Sequence, residues 1–397
     1  MSQTQNKKPV INLDYQASKP VDERVVKRML PFFDQLYGNP SSLHTIGDVA
    51  EDALTKAREQ IASFLKILPE EIIFTSGATE SVNLALLGYA IRNRRKGNHI
   101  IISEVEHISQ HNLVKYLEKN GFVVSKVPVD QYGRIQVEKL RKRITDKTIL
   151  ISVQYANNEI GTIQPIDEVG EIAAENGIAL HSDAVAAQGQ LDLHPKDHHI
   201  NIMSLSSNDF YGPKGVGALF IQKGFRVSPI IIGGGQEKGI RSGTENVAGI
   251  VGMAEATRIL QEKQAEEVSR YRQYQHKLQK EILAEVPHSY LNGHPTDRLP
   301  NNTHFRFDGI EGESILLMFK EQNMAVSTGS ACSSKTLEPS HTLISTGLLH
   351  EEAHGSLEFT TGRYTTMEHI DKAVELTPQI VKRLRELSPL YSEIKVT

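Results

Sequence analysis

A chain of 397 residues, 39% apolar and 23% charged, is long enough for one large and one smaller soluble domain. A formal net charge of −4 gives no electrostatic footprint for nucleic acid. No run approaches the roughly 18 apolar residues of a membrane span, the start "MSQTQNKKPVIN" lacks an apolar signal core, and the single cysteine, Cys332, excludes an internal disulfide, so a cytoplasmic protein without membrane partner is expected.

Along the chain, short apolar runs alternate with helical patterns from about residue 53 to residue 260. The runs are "EIIFTSG", "HIIISEVEH", "TILISVQYANNE", "IALHSDAV", "INIMSLSS" and "GVGALFI". Strands of this length separated by helices predict a parallel sheet covered on both faces. Residues 255–284 read as one long charged helix, followed by a mixed segment and a final helix, "MEHIDKAVELTPQIVKRLREL". The expected division is a large α/β domain over residues 16–260 and a small α+β domain from residues 1–15 and 261–397.

Three segments carry candidate chemistry. In residues 71–90 a strand runs into Ser76-Gly77-Ala78-Thr79 and then a helix; exposed amides and the Thr79 hydroxyl suit a phosphate, or form a plain helix cap. In "HSDAVAAQG", Asp183 ends an apolar strand, where open α/β sheets bind ligands, and it too is explicable as a cap. In "STGSACSSKTLEPSH", Cys332 stands among small polar residues, a setting that suits a reactive thiol better than a core position. By contrast, His350-Glu351-Glu352-Ala353-His354 matches H-E-x-x-H only formally: Gly347 and Gly355 bracket it and a strand-like run follows. His198-His199 reads as a loop.

Together "LDYQASKPVDERV", "GNPSSLH", "TSGATES", "EVEH", "NNEIGTIQPI", "GPKGVGAL", "GGGQEKGIRSGTEN" and the Cys332 segment make the chain resemble the NifS/IscS-type cysteine desulfurases over nearly its whole length. The resemblance implies a pyridoxal-phosphate-dependent, aminotransferase-like fold (fold type I) with a mainly parallel seven-stranded sheet. It also implies a homodimer, Cys332 as sulfur-accepting nucleophile on a loop, and a tail, "RLRELSPLY", that docks a U-type iron–sulfur scaffold. Carried over by position, Ala78, Thr79 and Ser206 would contact the cofactor phosphate, with Thr244 of a partner subunit completing that site. His107 would stack on the ring, Asp183 would pair with its nitrogen, and Asn158 would lie beside it.

The departures gather at one place. Asp209 stands where the family has its Schiff-base lysine and Asn208 where it has the preceding histidine. Ala186 replaces a glutamine, and Glu358 the arginine that binds the substrate carboxylate. Asp209 cannot form an imine, and Glu for Arg replaces a bidentate clamp with a like charge. Lys214, in Gly-Pro-Lys-Gly, is no substitute, because a tight turn directs it elsewhere. The expected protein is a desulfurase-like partner of the scaffold in iron–sulfur cluster assembly, with pyridoxal phosphate absent or not covalently bound. Cys332 would accept or relay sulfur, or ligate a [2Fe-2S] cluster shared with the scaffold. The alternatives are an active pyridoxal-phosphate desulfurase with unusual cofactor binding, and a pseudoenzyme regulating an active paralogue.

Overall fold

A computed structural model describes residues 9–328, 339–389 and 391. The strands are β1 (Ile11–Asn12), β2 (Ile72–Thr75), β3 (His99–Ser103), β4 (Val123–Val127), β5 (Thr148–Ser152), β6 (Ala179–Asp183), β7 (Ile202–Ser206), β8 (Gly217–Ile221), β9 (Ser289–Asn292), β10 (Asn302–Phe307), β11 (Met324–Ala325) and β12 (Ser356–Thr360). Seven of them form one sheet in the order β2-β8-β7-β6-β5-β3-β4. The ladder from β4 to β7 is parallel, whereas β8 runs antiparallel to both β7 and β2. Each apolar run of the sequence is a strand here, and β3, β5, β6, β7 and β8 are buried along their whole length. That is why they read as unbroken Ile, Leu and Val rather than as alternating patterns.

The strand that sequence patterning misses is β4, "VVSKV". It lies at the sheet edge and leaves Val123 and Lys126 in solvent, so its side chains do not form an apolar run. The long helix spans Val247–Glu285, starting eight residues before its charged stretch because its first turns are buried and apolar. The last helix runs Met367–Leu387 and carries Pro378 inside it. Around it and the distal half of the long helix, Leu13, Tyr271, Phe305, Phe307, Phe319, Leu357 and Phe359 close a second apolar core. β12, β10 and β9 form an antiparallel sheet on it, and β1 pairs in parallel with β11.

The entry to the first cavity-forming helix depends on a close backbone approach. Gly77 has φ of +149°, a conformation side chains resist, and a Cβ at Gly217 would lie 2.7 Å from the Gly77 Cα. Helical turns then run without interruption from Ala78 to Asn93, with a π-turn at Leu84–Gly88.

Arg363 joins three parts of the molecule. Its guanidinium binds Asp22 at 2.7 Å and Glu267 at 2.5 Å, and it stacks on Tyr211. Both carboxylates are buried. Arg363→Met strands two buried charges and is expected to cost about 3–5 kcal/mol in urea unfolding. Arg134→Met, which breaks a solvent-facing pair with Asp297, is expected to cost less than about 1 kcal/mol.

Candidate functional site

The C-terminal ends of the parallel strands meet the second core at a cavity of about 260 Å³. Past β3 comes His107, past β5 come Gln154, Ala156 and Asn158, and Asp183 closes β6, followed by Val185 and Ala186. Past β7, the 3₁₀ turn Ser207–Phe210 supplies Asn208 and Asp209. The turn can reverse the chain into β8 because Tyr211 adopts φ of 68° and Gly215 φ of 78°. Asp14, Gln16 and Ala17 after β1, Ser327 after β11 and Glu358 of β12 make the opposite wall. That wall is held by the pairing of Ser327 with Glu358 and of Asp14 with Thr360.

Eight of the residues singled out in the sequence therefore share one cavity: Ala78, His107, Asn158, Asp183, Ala186, Asn208, Asp209 and Glu358. Thr79 and Thr244 are exposed on the surface, and Ser206 is buried behind the wall. Cys332 lies outside the described residues, as does the tail beyond Pro389 apart from Tyr391. The chain on either side of Cys332 is nonetheless placed: Ser327 is on the cavity wall, and the Ser340 hydroxyl donates to Glu159 at 2.7 Å. His350–His354 is a five-residue helix ending at Gly355. His198 is not in an open loop but in a 3₁₀ turn, bonded to Asp167 and to the Tyr155 hydroxyl.

The cavity wall holds four carboxylates, and burial governs all of them. It pushes Asp183 up to about 6, with the nearby Asp209 adding to the rise. Burial also raises Asp209, while Lys19, the Ser206 side chain and His107 pull it back. Asp14 is raised, and its buried Oδ1 has no hydrogen-bond partner among the described residues. Glu358 is raised well above the usual carboxylate range by burial and by Glu159 and Asp14. Its Oε1 accepts from Asn302 Nδ2 at 2.8 Å, and Asn302 Oδ1 accepts from the wholly buried Arg298 at 3.0 Å.

This amends the sequence-based electrostatics. Glu358 is not a fixed negative charge opposing an anion; the wall favours its neutral form. The loss of a guanidinium at that point stands all the same. Sequence reasoning also missed Asp14, Gln16, Ser109, Gln154 and Ser327, all on the wall, and the buried Lys19 behind it. The stretch "LDYQASKP" contains three of these six, yet nothing in its pattern marks which side chains turn inward.

Pyridoxal phosphate fits this cavity only in part. His107 and Asp183 could face its ring, and Nδ1 of His107 is fixed by the Ser109 hydroxyl at 2.8 Å. Among the described residues, however, neither lysine nor arginine lines the cavity, so no amine is placed to hold the aldehyde and no guanidinium to hold a substrate carboxylate.

Comparison with known proteins agrees with this geometry. The class-V aminotransferase family model matches residues 11–373. "Cysteine desulfurase IscS 1" of Archaeoglobus fulgidus is 52% identical over 379 residues, covering 95% of this chain and 98% of that protein. A solved "NifS-like protein" superposes with a TM-score of 0.89 at 34% identity, over 94% of this chain and 100% of its own. A structure titled "SspA in complex with cysteine" gives 0.80 at 33% identity, over 90% of this chain and 100% of its own. With the seven-stranded sheet and a cavity at its strand ends, these matches place the chain in the class-V aminotransferase family, among the IscS/NifS-type cysteine desulfurases.

Proposed function

We propose that this protein works in iron–sulfur cluster assembly as the partner of a U-type scaffold, without pyridoxal-phosphate-dependent turnover of its own. The carrying observation is the cavity wall: a carboxylate at position 209, a second at 358, and no lining amine or guanidinium among the described residues. Desulfuration of cysteine in this family's manner requires an amine that captures the aldehyde and then moves a proton. Asp209 has a carboxyl group in its place.

Cys332 is the functional thiol in this reading, as sulfur acceptor, sulfur relay or ligand to a [2Fe-2S] cluster held mainly by scaffold cysteines. The described chain to either side of it is tied to the cavity wall at Ser327 and to Glu159 at Ser340, which supports a position at the cavity mouth. A homodimer is supported by the run of exposed apolar side chains Leu30, Phe33, Tyr37, Leu43 and Ile46. Among the described residues no helix is long and apolar enough to cross a membrane.

A second reading, an active pyridoxal-phosphate desulfurase, is favoured by the names of the relatives and by a neighbour solved with cysteine. Asp183 and His107 on the cavity wall also support it. The two readings separate in one experiment. Protein incubated with pyridoxal phosphate and then borohydride is expected to carry no covalent adduct by mass spectrometry, and to release no sulfide from cysteine. An adduct together with sulfide release establishes the second reading and removes the first.

Asp209→Lys is expected to gain the adduct yet turn over cysteine poorly, because no guanidinium stands at position 358; full activity would show that residue 358 does not matter. Finally, Cys332→Ser is expected to leave folding and scaffold binding intact while abolishing the anaerobic iron–sulfur absorbance of the joint preparation. Unchanged absorbance would remove Cys332 as a cluster ligand.

A further inference from the structure

Lys19 sits between β1 and the helix Glu23–Met29, 6% exposed and outside the cavity lining. Its Nζ donates to the backbone carbonyl of Asp209 at 2.6 Å. Burial opposes its charge, the carboxylates of Asp209 and Glu267 support it, and Arg363 opposes it. A buried ammonium persists only where acceptors and opposite charge surround it.

Glu267 already has a cation. Arg363 holds it at 2.5 Å and holds Asp22 at 2.7 Å, while Arg24 reaches Asp22 at 2.8 Å from the other side. With those pairs made, Lys19 and Asp209 remain as a cation and an anion lying against the same turn. Asp209 has Lys19 on one side, and His107, Asp183 and the Ser206 side chain on the other.

We propose that Lys19 is a positioning residue for the cavity: it anchors the Ser207–Phe210 turn through the Asp209 carbonyl and, as counter-ion, keeps the Asp209 carboxylate ionised on the cavity wall. The wall at that point is then a fixed acceptor. The ligand group it takes there is a hydrogen-bond donor or a cation, not an anion. This assignment concerns Asp209 alone and is independent of what Cys332 does.

Infrared difference spectra test it on the full chain. Subtracting the Asp209→Asn spectrum in each background isolates the carbonyl band of protonated Asp209 across about pH 4 to 8. Lys19→Gln keeps a donor for the Asp209 carbonyl but removes the charge. A nearby cation favours the ionised carboxylate, so losing it moves the Asp209 midpoint upward, by about one pH unit or more. Lys19→Arg brings the midpoint back towards that of the parent. A midpoint unmoved by Lys19→Gln overturns the counter-ion role and leaves Lys19 a backbone anchor. Should Lys19→Gln fail to fold, Glu267→Gln decides the matter. Removing the competing carboxylate leaves the Lys19 charge to Asp209, so a downward midpoint supports the pair and an unmoved one overturns it.

Discussion

A carboxylate taken out of water loses hydration worth on the order of several kcal/mol, and only fixed donors, a cation or a bound proton offset that loss. Around this cavity each of the three solutions is used. Asp183 accepts from the backbone amide of Val185 at 3.1 Å. Asp209 has Lys19 behind its turn. Glu358 lies at the end of a relay from Arg298 through the Asn302 amide, which supports it without delivering full charge, so its proton does the rest. The elements that supply these partners are far apart in sequence, and the requirement to satisfy the buried carboxylates ties them together at the strand ends.

The same constraint explains how a desulfurase body can hold so different a cavity. The frame is set by the parallel ladder from β4 to β7, the reversed β8 and the long helix behind them. None of those depends on the side chain at 209, 358 or 186. What does depend on the side chain is the charge at each wall position, and here the cation lies behind position 209, with none on the wall among the described residues.

Much of this was legible in the sequence, for physical reasons that differ by element. Buried parallel strands announce themselves because both faces are apolar, as in "HIIIS" and "TILIS". The edge strand β4 did not, because one edge and part of its faces meet water. Wall residues at strand ends, such as Asp183, follow from the topology of open sheets. Residues brought in from the other core do not: Asp14 and Ser327 reach the cavity through pairings with β12 more than 30 residues away in sequence. The protonation of Glu358 was invisible for the same reason, since it depends on Glu159, Asp14 and Asn302, which share no local pattern with it. Lys19 read as one more surface lysine, and only the fold places it under Asp209.

The approach of Gly217 to Gly77 is a contact between main chains, in which no side chain takes part. Nothing at that joint can be tuned by exchanging one functional group for another; a bulkier residue on either side simply prises strand from helix. The wall residues obey the opposite rule, since each can be swapped without disturbing the joint. A lineage built this way inherits its geometry as an all-or-nothing trait and its chemistry one codon at a time, so activities can be lost or exchanged inside a shape that selection still holds constant.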